Sequence, residues 1–201
     1  MTKILAGRAT EPGMDWASLD GMFRLRDEVF HKRLGWDVLS QGGLERDKFD
    51  DMDPVYLIAR ANERRVDGCT RLLPTTGPYM LSDVFPQLLQ GEDAPQDAFT
   101  WELSRFTANA DRNNPQAGIG DISLGLMRTA VEYAENHGIT RYVAVTSAAM
   151  ERMLRGIGMP TRRLGEGKAI RIGKVLTVAC YIPIDGRTRA ALAMESHRYA
   201  A

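Results

Sequence analysis

The stretch DISLGLMRTAVEYAENHGITRYVAVTS, Asp121–Ser147, decides the class of fold. In its first half apolar residues recur every three or four positions, the rhythm of an amphipathic helix over Asp121–Asn136, closed by Gly138. In its second half Arg141–Ser147 is short, apolar and β-branched, and predicts a strand. Downstream, Ala148–Arg155 reads as a short helix, followed by strands near Arg162–Ile172 and Val175–Pro183 and a helical tail from Asp185. Upstream, Asp15–Leu34 has helical spacing, with Trp16, Leu19, Met22, Phe23, Val29 and Phe30 on its apolar positions and Gly35 as a stop. Residues 37–53 form an acidic loop, and Val55–Arg60 and Cys69–Leu73 predict strands joined by a turn. Pro74, Gly77 and Pro78 break the chain before a short helix at Met80–Gln90; Phe99–Thr107 is a further strand, and residues 110–118 a polar connection. There are no repeats. This alternation of helix and strand predicts an α/β sandwich, with helices packed on a central mixed sheet.

Composition narrows the class. A chain of 201 residues, 44% hydrophobic and 26% charged, suits one soluble globular domain over 1–201. No apolar run reaches bilayer length, so membrane insertion is not expected. The start, MTKILAGRATEPG, lacks the apolar segment of a secretory signal, which gives a cytoplasmic expectation. Cys69 and Cys180 lie in apolar strings and read as buried reduced thiols. His31, His137 and His197 show no metal-ligand spacing, so no metal is expected.

Formal charge sums to zero but is uneven: residues 1–100 carry 12 basic and 17 acidic side chains, and residues 101–201 carry 14 and 9. Much of the positive excess lies in 150–174, in Arg152, Arg155, Arg162, Arg163, Lys168, Arg171 and Lys174. Such a stretch is either a solvated face or a docking face for an acidic macromolecule. Nucleic acid is a poor partner, because the chain is not basic overall and has no binding motif.

Charges set inside apolar strings point to function. RDEVF, LGW, ERDKFDD, GCTRLLPTTGPY and WELSRF contain Arg26, Phe30, Trp36, Asp47, Asp50, Arg71, Glu102 and Arg105. Charges in such settings must pair with one another or meet a charged ligand. Taken singly, the aspartates fit a solvated loop, Arg26 a snorkelling surface residue, and Phe30 and Trp36 plain core. Regular strand alternation places Glu102 and Arg105 on opposite faces, unless a bulge intervenes.

From about Met22 onward the chain resembles the LuxI-type acyl-homoserine lactone synthases, the autoinducer synthase family of quorum sensing, on these residues. The resemblance implies an acetyltransferase-like (GNAT-like) three-layer sandwich with a splayed sheet. It implies an acyltransferase that joins a thioester-borne acyl chain to the amino group of S-adenosylmethionine; lactonisation then expels methylthioadenosine. S-adenosylmethionine is a substrate, and no cofactor is implied. Such a substrate offers a sulfonium, an amine, a carboxylate and a purine, which call for acids, arginine and aromatics. By resemblance Arg26, Phe30, Trp36, Asp47, Asp50, Arg71 and Arg105 bind it, while Glu102 and Arg105 are catalytic, Glu102 as general base.

On the acyl side Met80, Trp101, Phe106, Met127, Val143, Ala144, Met150 and Met153 are pocket candidates, each of which also fits ordinary core. Ala144 falls where relatives that use 3-oxoacyl chains commonly carry threonine, so the resemblance implies an unsubstituted chain, of medium length such as octanoyl. Acyl-carrier protein, which is acidic, is the partner implied for Arg152, Arg155, Arg162, Arg163 and Lys168. Two alternatives stand beside this reading. An acyl-coenzyme A-dependent N-acyltransferase would carry a pyrophosphate turn, and the nearest string, QAGIGD, has the wrong spacing. A non-enzymatic sensor of acylated ligands would need fewer polar residues.

Overall fold

The computed structural model describes residues 2–62, 65–109 and 120–198. In chain order the elements are β1 (Lys3–Arg8), α1 (Trp16–Arg26) and a π-helical turn, Asp27–Arg33, then β2 (Ser40–Gln41) and β3 (Leu44–Glu45). A 3-10 turn at Lys48–Asp51 precedes β4 (Val55–Asn62), β5 (Arg65–Pro74) and α2 (Met80–Asp83). After a second 3-10 turn, Pro86–Leu89, come β6 (Thr100–Ala108), α3 (Asp121–Asn136), β7 (Arg141–Ser147) and α4 (Ala148–Gly156). The chain closes with β8 (Arg162–Arg163), β9 (Ile170–Ile172), β10 (Val175–Pro183) and α5 (Gly186–Arg198). Sequence segment 110–118, including Gln116 of QAGIGD, lies outside the described residues, as does the His197 side chain.

Two compact units share these elements: Met1–Leu72 with Arg105–Thr129, and Leu73–Ser104 with Ala130–Ala201. In the first unit the strand order is β1-β4-β5-β6, with β1 and β5 both antiparallel to β4. Asp15 caps α1 by accepting the Ser18 N–H at 2.8 Å, and the helix lays Leu19, Met22 and Phe23 against Tyr56, Ile58 and Cys69. Each such burial contributes about 1.5–3 kcal/mol. Gly68 on β5 makes room for α3, since a Cβ there would come 2.7 Å from Ile122 and 3.1 Å from the Thr107 carbonyl.

In the second unit β6 runs parallel to β7, β7 antiparallel to β10, and both β8 and β9 pair with β10. The sheet is therefore mixed, as predicted. Pairing of β6 with β7 ends at Leu103↔Ala144, whereas β7 stays paired with β10 through Ser147. Tyr79, Leu81, Leu88, Val143, Leu164 and Tyr181 form the apolar cluster on one side. Among the described residues no helix is long and apolar enough to cross a membrane.

Three local readings are corrected. Lys3–Arg8, which the sequence left unassigned, is a strand held along its length by β4. The helix expected over Met80–Gln90 stops at Asp83, because Pro86 cannot donate an N–H; a 3-10 turn follows. The strand expected near Arg162–Ile172 is two short pieces, β8 and β9.

Candidate active site

The first unit draws Arg26, Phe30, Trp36, Asp47, Asp50, Arg71 and Arg105 together. Arg26 ends α1, and its guanidinium forks onto Asp50 at 2.8 and 2.9 Å. Its Nε donates to Glu45 at 2.5 Å. Arg71, from β5, reaches Asp47 at 2.6 and 3.1 Å and Asp50 at 2.8 Å. Arg105, from β6, reaches Glu45 at 2.9 Å and Asp47 at 2.8 Å. Three guanidinium groups thus face three carboxylates. Charge balance is what makes such burial tolerable.

Local geometry explains how acids from one loop face inward. Asp47 caps the 3-10 turn by accepting the Phe49 N–H at 2.9 Å, and Asp50 returns to accept the Asp47 N–H at 2.8 Å. Asp50 also accepts from the Tyr56 hydroxyl at 2.9 Å. Burial alone would raise the Asp50 pKa, but hydrogen bonding to Arg26 and the charges of Arg26 and Arg71 outweigh it and hold the carboxyl well below the usual range. Burial likewise opposes the charge on Arg26, and Asp50 and Glu45 more than restore it.

Arg105 joins the group because the strand is irregular. Its φ of +54° lies in the left-handed region, unusual for a residue with a side chain. Burial along β6 alternates through Leu103, then Ser104 and Arg105 are both buried and the phase shifts by one. The break that the sequence left conditional is present. Strain of about 1–3 kcal/mol is tolerated at such positions when surrounding contacts fix them.

Aromatic rings line the same group. Phe30 and Trp36 stack at 5.3 Å, and the Arg105 guanidinium lies 5.3 Å from the Phe30 ring centre. The π-helical turn carries Phe30, so α1 does not run unbroken to Leu34 as expected; such turns recur at functional sites. The Trp36 indole N–H is buried with no hydrogen-bond partner among the described residues. Exposure separates front from back: the Arg26, Arg71, Glu45 and Asp50 side chains have none, while Asp47 keeps 16% and Arg105 5%. A ligand would therefore meet Trp36, Asp47 and Arg105, with the others behind them.

The family model described as autoinducer synthase matches residues 12–192. The chain belongs to the autoinducer synthase family. The acyl-homoserine-lactone synthase of Aliivibrio fischeri is 39% identical over 86% of this chain and 89% of its own. The crystal structure of the AHL synthase LasI is 35% identical, with a TM-score of 0.86 over 96% of this chain and 94% of that one. BjaI, a CoA-dependent acyl-homoserine lactone synthase solved with SAM and isopentyl-CoA, is 30% identical, with a TM-score of 0.83 over 97% and 89%. A putative N-acetyltransferase from Lactobacillus plantarum, 15% identical at a TM-score of 0.59 over 92% and 99%, shares the fold alone. This chain is an enzyme, an acyl-homoserine-lactone synthase, with the acetyltransferase-like α/β fold.

In the synthase, Glu45 is the site residue that sequence reasoning missed. It is fully buried between Arg26 and Arg105. The available signal was arithmetic: three arginines in apolar strings call for three acids, and only Asp47 and Asp50 were assigned to them, Glu102 being read as the general base. The structure puts Glu102 elsewhere. Buried in the second unit, it accepts the N–H of Met80 at 3.0 Å and of Leu81 at 2.8 Å.

The acyl candidates are drawn from both units. Phe106 and Met127 belong to the first unit, and Met80, Trp101, Val143, Ala144, Met150 and Met153 to the second. Val143 and Ala144 are both buried but adjacent on β7, so they face opposite sides of the sheet. Val143 packs with Tyr79 and Leu81, whereas Trp101 lies 6.1 Å from Tyr133 of α3. Met150 is half-buried, and Met153 is 38% exposed.

The five docking candidates also divide. Arg162 forks onto Glu92 at 2.6 and 2.9 Å, and Lys168 pairs with Glu166. Arg163 is half-buried and bonds Glu151 at 2.8 Å and the Gly167 carbonyl at 2.9 Å. Arg152 is exposed, and Arg155 is exposed with Glu151 3.7 Å away. The two cysteine thiols are free and buried, and burial pushes both up to about 12. Among the described residues no cluster could hold a metal ion.

Proposed function

We propose that the synthase transfers an unsubstituted medium-chain acyl group, such as octanoyl, from acyl-carrier protein to S-adenosylmethionine. The observation that carries this is the balanced cluster behind Asp47 and Arg105. Asp47 offers its exposed edge to the cationic amine or sulfonium, and the Arg105 guanidinium, held from behind by Glu45 and Asp47, offers its positive charge to the carboxylate. Trp36 supplies a ring face and an unused donor. The amine lone pair attacks the thioester carbon; the carbon–sulfur bond breaks and the proton leaves with the thiol. An amine with a pKa near ~8 already supplies a neutral fraction at neutral pH. Carboxylate oxygen then displaces methylthioadenosine from the sulfonium carbon, cancelling two opposite charges, a step that exclusion of water favours.

The purified protein is tested with S-adenosylmethionine and each of three donors: octanoyl-carrier protein, its 3-oxo analogue and octanoyl-coenzyme A. Methylthioadenosine release and the mass of the lactone are read. No release with any donor sinks the reading. A coenzyme A thioester is the second candidate donor, on the strength of the 30% identity to CoA-dependent BjaI. Buried thiols at Cys69 and Cys180 suit a reducing, cytoplasmic setting.

Two expected outcomes refine this. Ala144 has no hydroxyl for a 3-oxo group, so the unsubstituted donor is turned over about fivefold or more faster, a difference of about one hydrogen bond. Faster turnover of the 3-oxo donor removes the argument from Ala144. For docking, Arg152 and Arg155 are the residues to reverse, since neither is committed to a tight pair. Arg152→Glu with Arg155→Glu raises the KM for the carrier protein about tenfold at low salt, and flattens its salt dependence. An unchanged KM removes the docking surface and leaves the chemistry standing.

A further inference from the structure

We infer that Glu102 is a positioning residue for the acyl side of the synthase, and not the group that takes the amine proton. This rests on the acyl-transfer reading above. A general base must come within hydrogen-bond reach of the reacting nitrogen, directly or through one water. Glu102 has no exposed surface. Both of its carboxylate oxygens are engaged by backbone, Oε1 by the Leu81 N–H and Oε2 by the Met80 N–H.

Those two N–H groups open α2, and Tyr79, at the capping position before them, makes no side-chain capping bond. The first N–H groups of a helix have no partner within it, so a buried helix start needs an acceptor from elsewhere. Glu102 supplies it from β6. Tyr79 is fixed separately, its hydroxyl donating to the Pro95 carbonyl at 2.6 Å. In the β6–β7 ladder Glu102 lies beside Val143, and Val143 packs in one apolar cluster with Tyr79 and Leu81. The carboxylate therefore pins the segment carrying Met80 against the part of β7 that carries Val143. Charge-assisted bonds of this kind are short and directional, and they hold a backbone more firmly than packing alone.

Glu102→Gln tests this. Its amide keeps one acceptor but turns an NH2 toward a backbone N–H, so half of the clamp is lost. The expected result is a fall of about tenfold in kcat/KM for the acyl donor, with the KM for S-adenosylmethionine within about twofold of wild type. The deficit stays constant from about pH 6.5 to about 9. A lost general base would behave otherwise, because the amine deprotonates unaided above its pKa near ~8 and the deficit would shrink. Glu102→Asp, one methylene short, is expected to be as impaired as the glutamine variant. A deficit that fades with rising pH, or an aspartate variant near wild type, overturns the proposal.

Hydrogen exchange at the Met80 and Leu81 amides gives a readout independent of turnover. Both are expected to be protected in wild type, and the glutamine variant to lose that protection locally; equal exchange in the two proteins refutes the clamp. If wild type makes no lactone from any donor, the functional reading is at fault, and the exchange measurement still decides whether the clamp exists.

Discussion

Asp50→Ala is expected to remove about 3–5 kcal/mol of folding stability, the cost of leaving buried charge without its partner. For a chain of this size the melting temperature falls by about 6–20 °C. Asp50 accepts two bonds from Arg26 and one each from Arg71, Tyr56 and the Asp47 N–H. Alanine removes the acceptor of all five bonds, leaves Arg71 its pairing with Asp47, and gives the cluster one excess positive charge. Acid dependence provides a second check. The folded pKa of Asp50 is depressed, so its contribution is complete above the unfolded carboxyl value near ~3.9 and lost as pH falls through the lower folded one. Urea titrations should show a constant gap between variant and wild type from about pH 8 to about pH 5, narrowing below about pH 4. A gap under about 1 kcal/mol at neutral pH would mean that the cluster contributes no more than a surface pair.

Gly165→Ala carries the next largest effect. Gly165 has φ +52°, and a Cβ there would lie 2.3 Å from the Leu89 carbonyl oxygen and 2.5 Å from that of Gln90. Backbone atoms cannot step aside as a side-chain tip can. The two segments are locked together: the Gln90 side chain bonds both the Lys168 N–H and its carbonyl, and Glu92 accepts from Gly165 and Arg162. The expected loss is about 2–5 kcal/mol, combining a left-handed alanine with overpacking. Gly167→Ala is the control, since its φ is +68° but the nearest atom to its Cβ is the Arg163 Cβ at 3.5 Å, an ordinary contact. It should cost only the conformational part, about 1–2 kcal/mol. Thermal unfolding of the two variants side by side checks this, and equal losses would show that the close approach at Gly165 is not what limits the loop.

Long periodic segments were legible. The spacing of α3 and the β-branched run of β7 gave both their observed bounds, because buried faces impose a period that few residues violate. Lys3–Arg8 was not, since an edge strand owes its structure to the ladder with β4 and not to its own apolar content. Site residues that interrupt apolar runs were legible for the same physical reason that makes them costly. Glu45 was hidden because an acid in an acidic loop resembles any solvated residue until its partners are located. Glu102 was recognised as special, but its bonds to the Met80 and Leu81 N–H groups are ones that no spacing encodes.

The ion cluster also constrains the route by which the protein folds. Its paired members come from positions 19 to 60 residues apart along the chain, as in Arg26 with Glu45 and Arg105 with Glu45. A partly gathered set would hold unmatched charge away from water, so the ions are best desolvated together, after the apolar framework of α1 and β4 has closed around them. Contacts made late change escape from the native state more than entry into it. The salt-bridge centre is thus expected to set how long the folded enzyme persists more than how quickly it forms, which unfolding and refolding rates of Asp50→Ala would check.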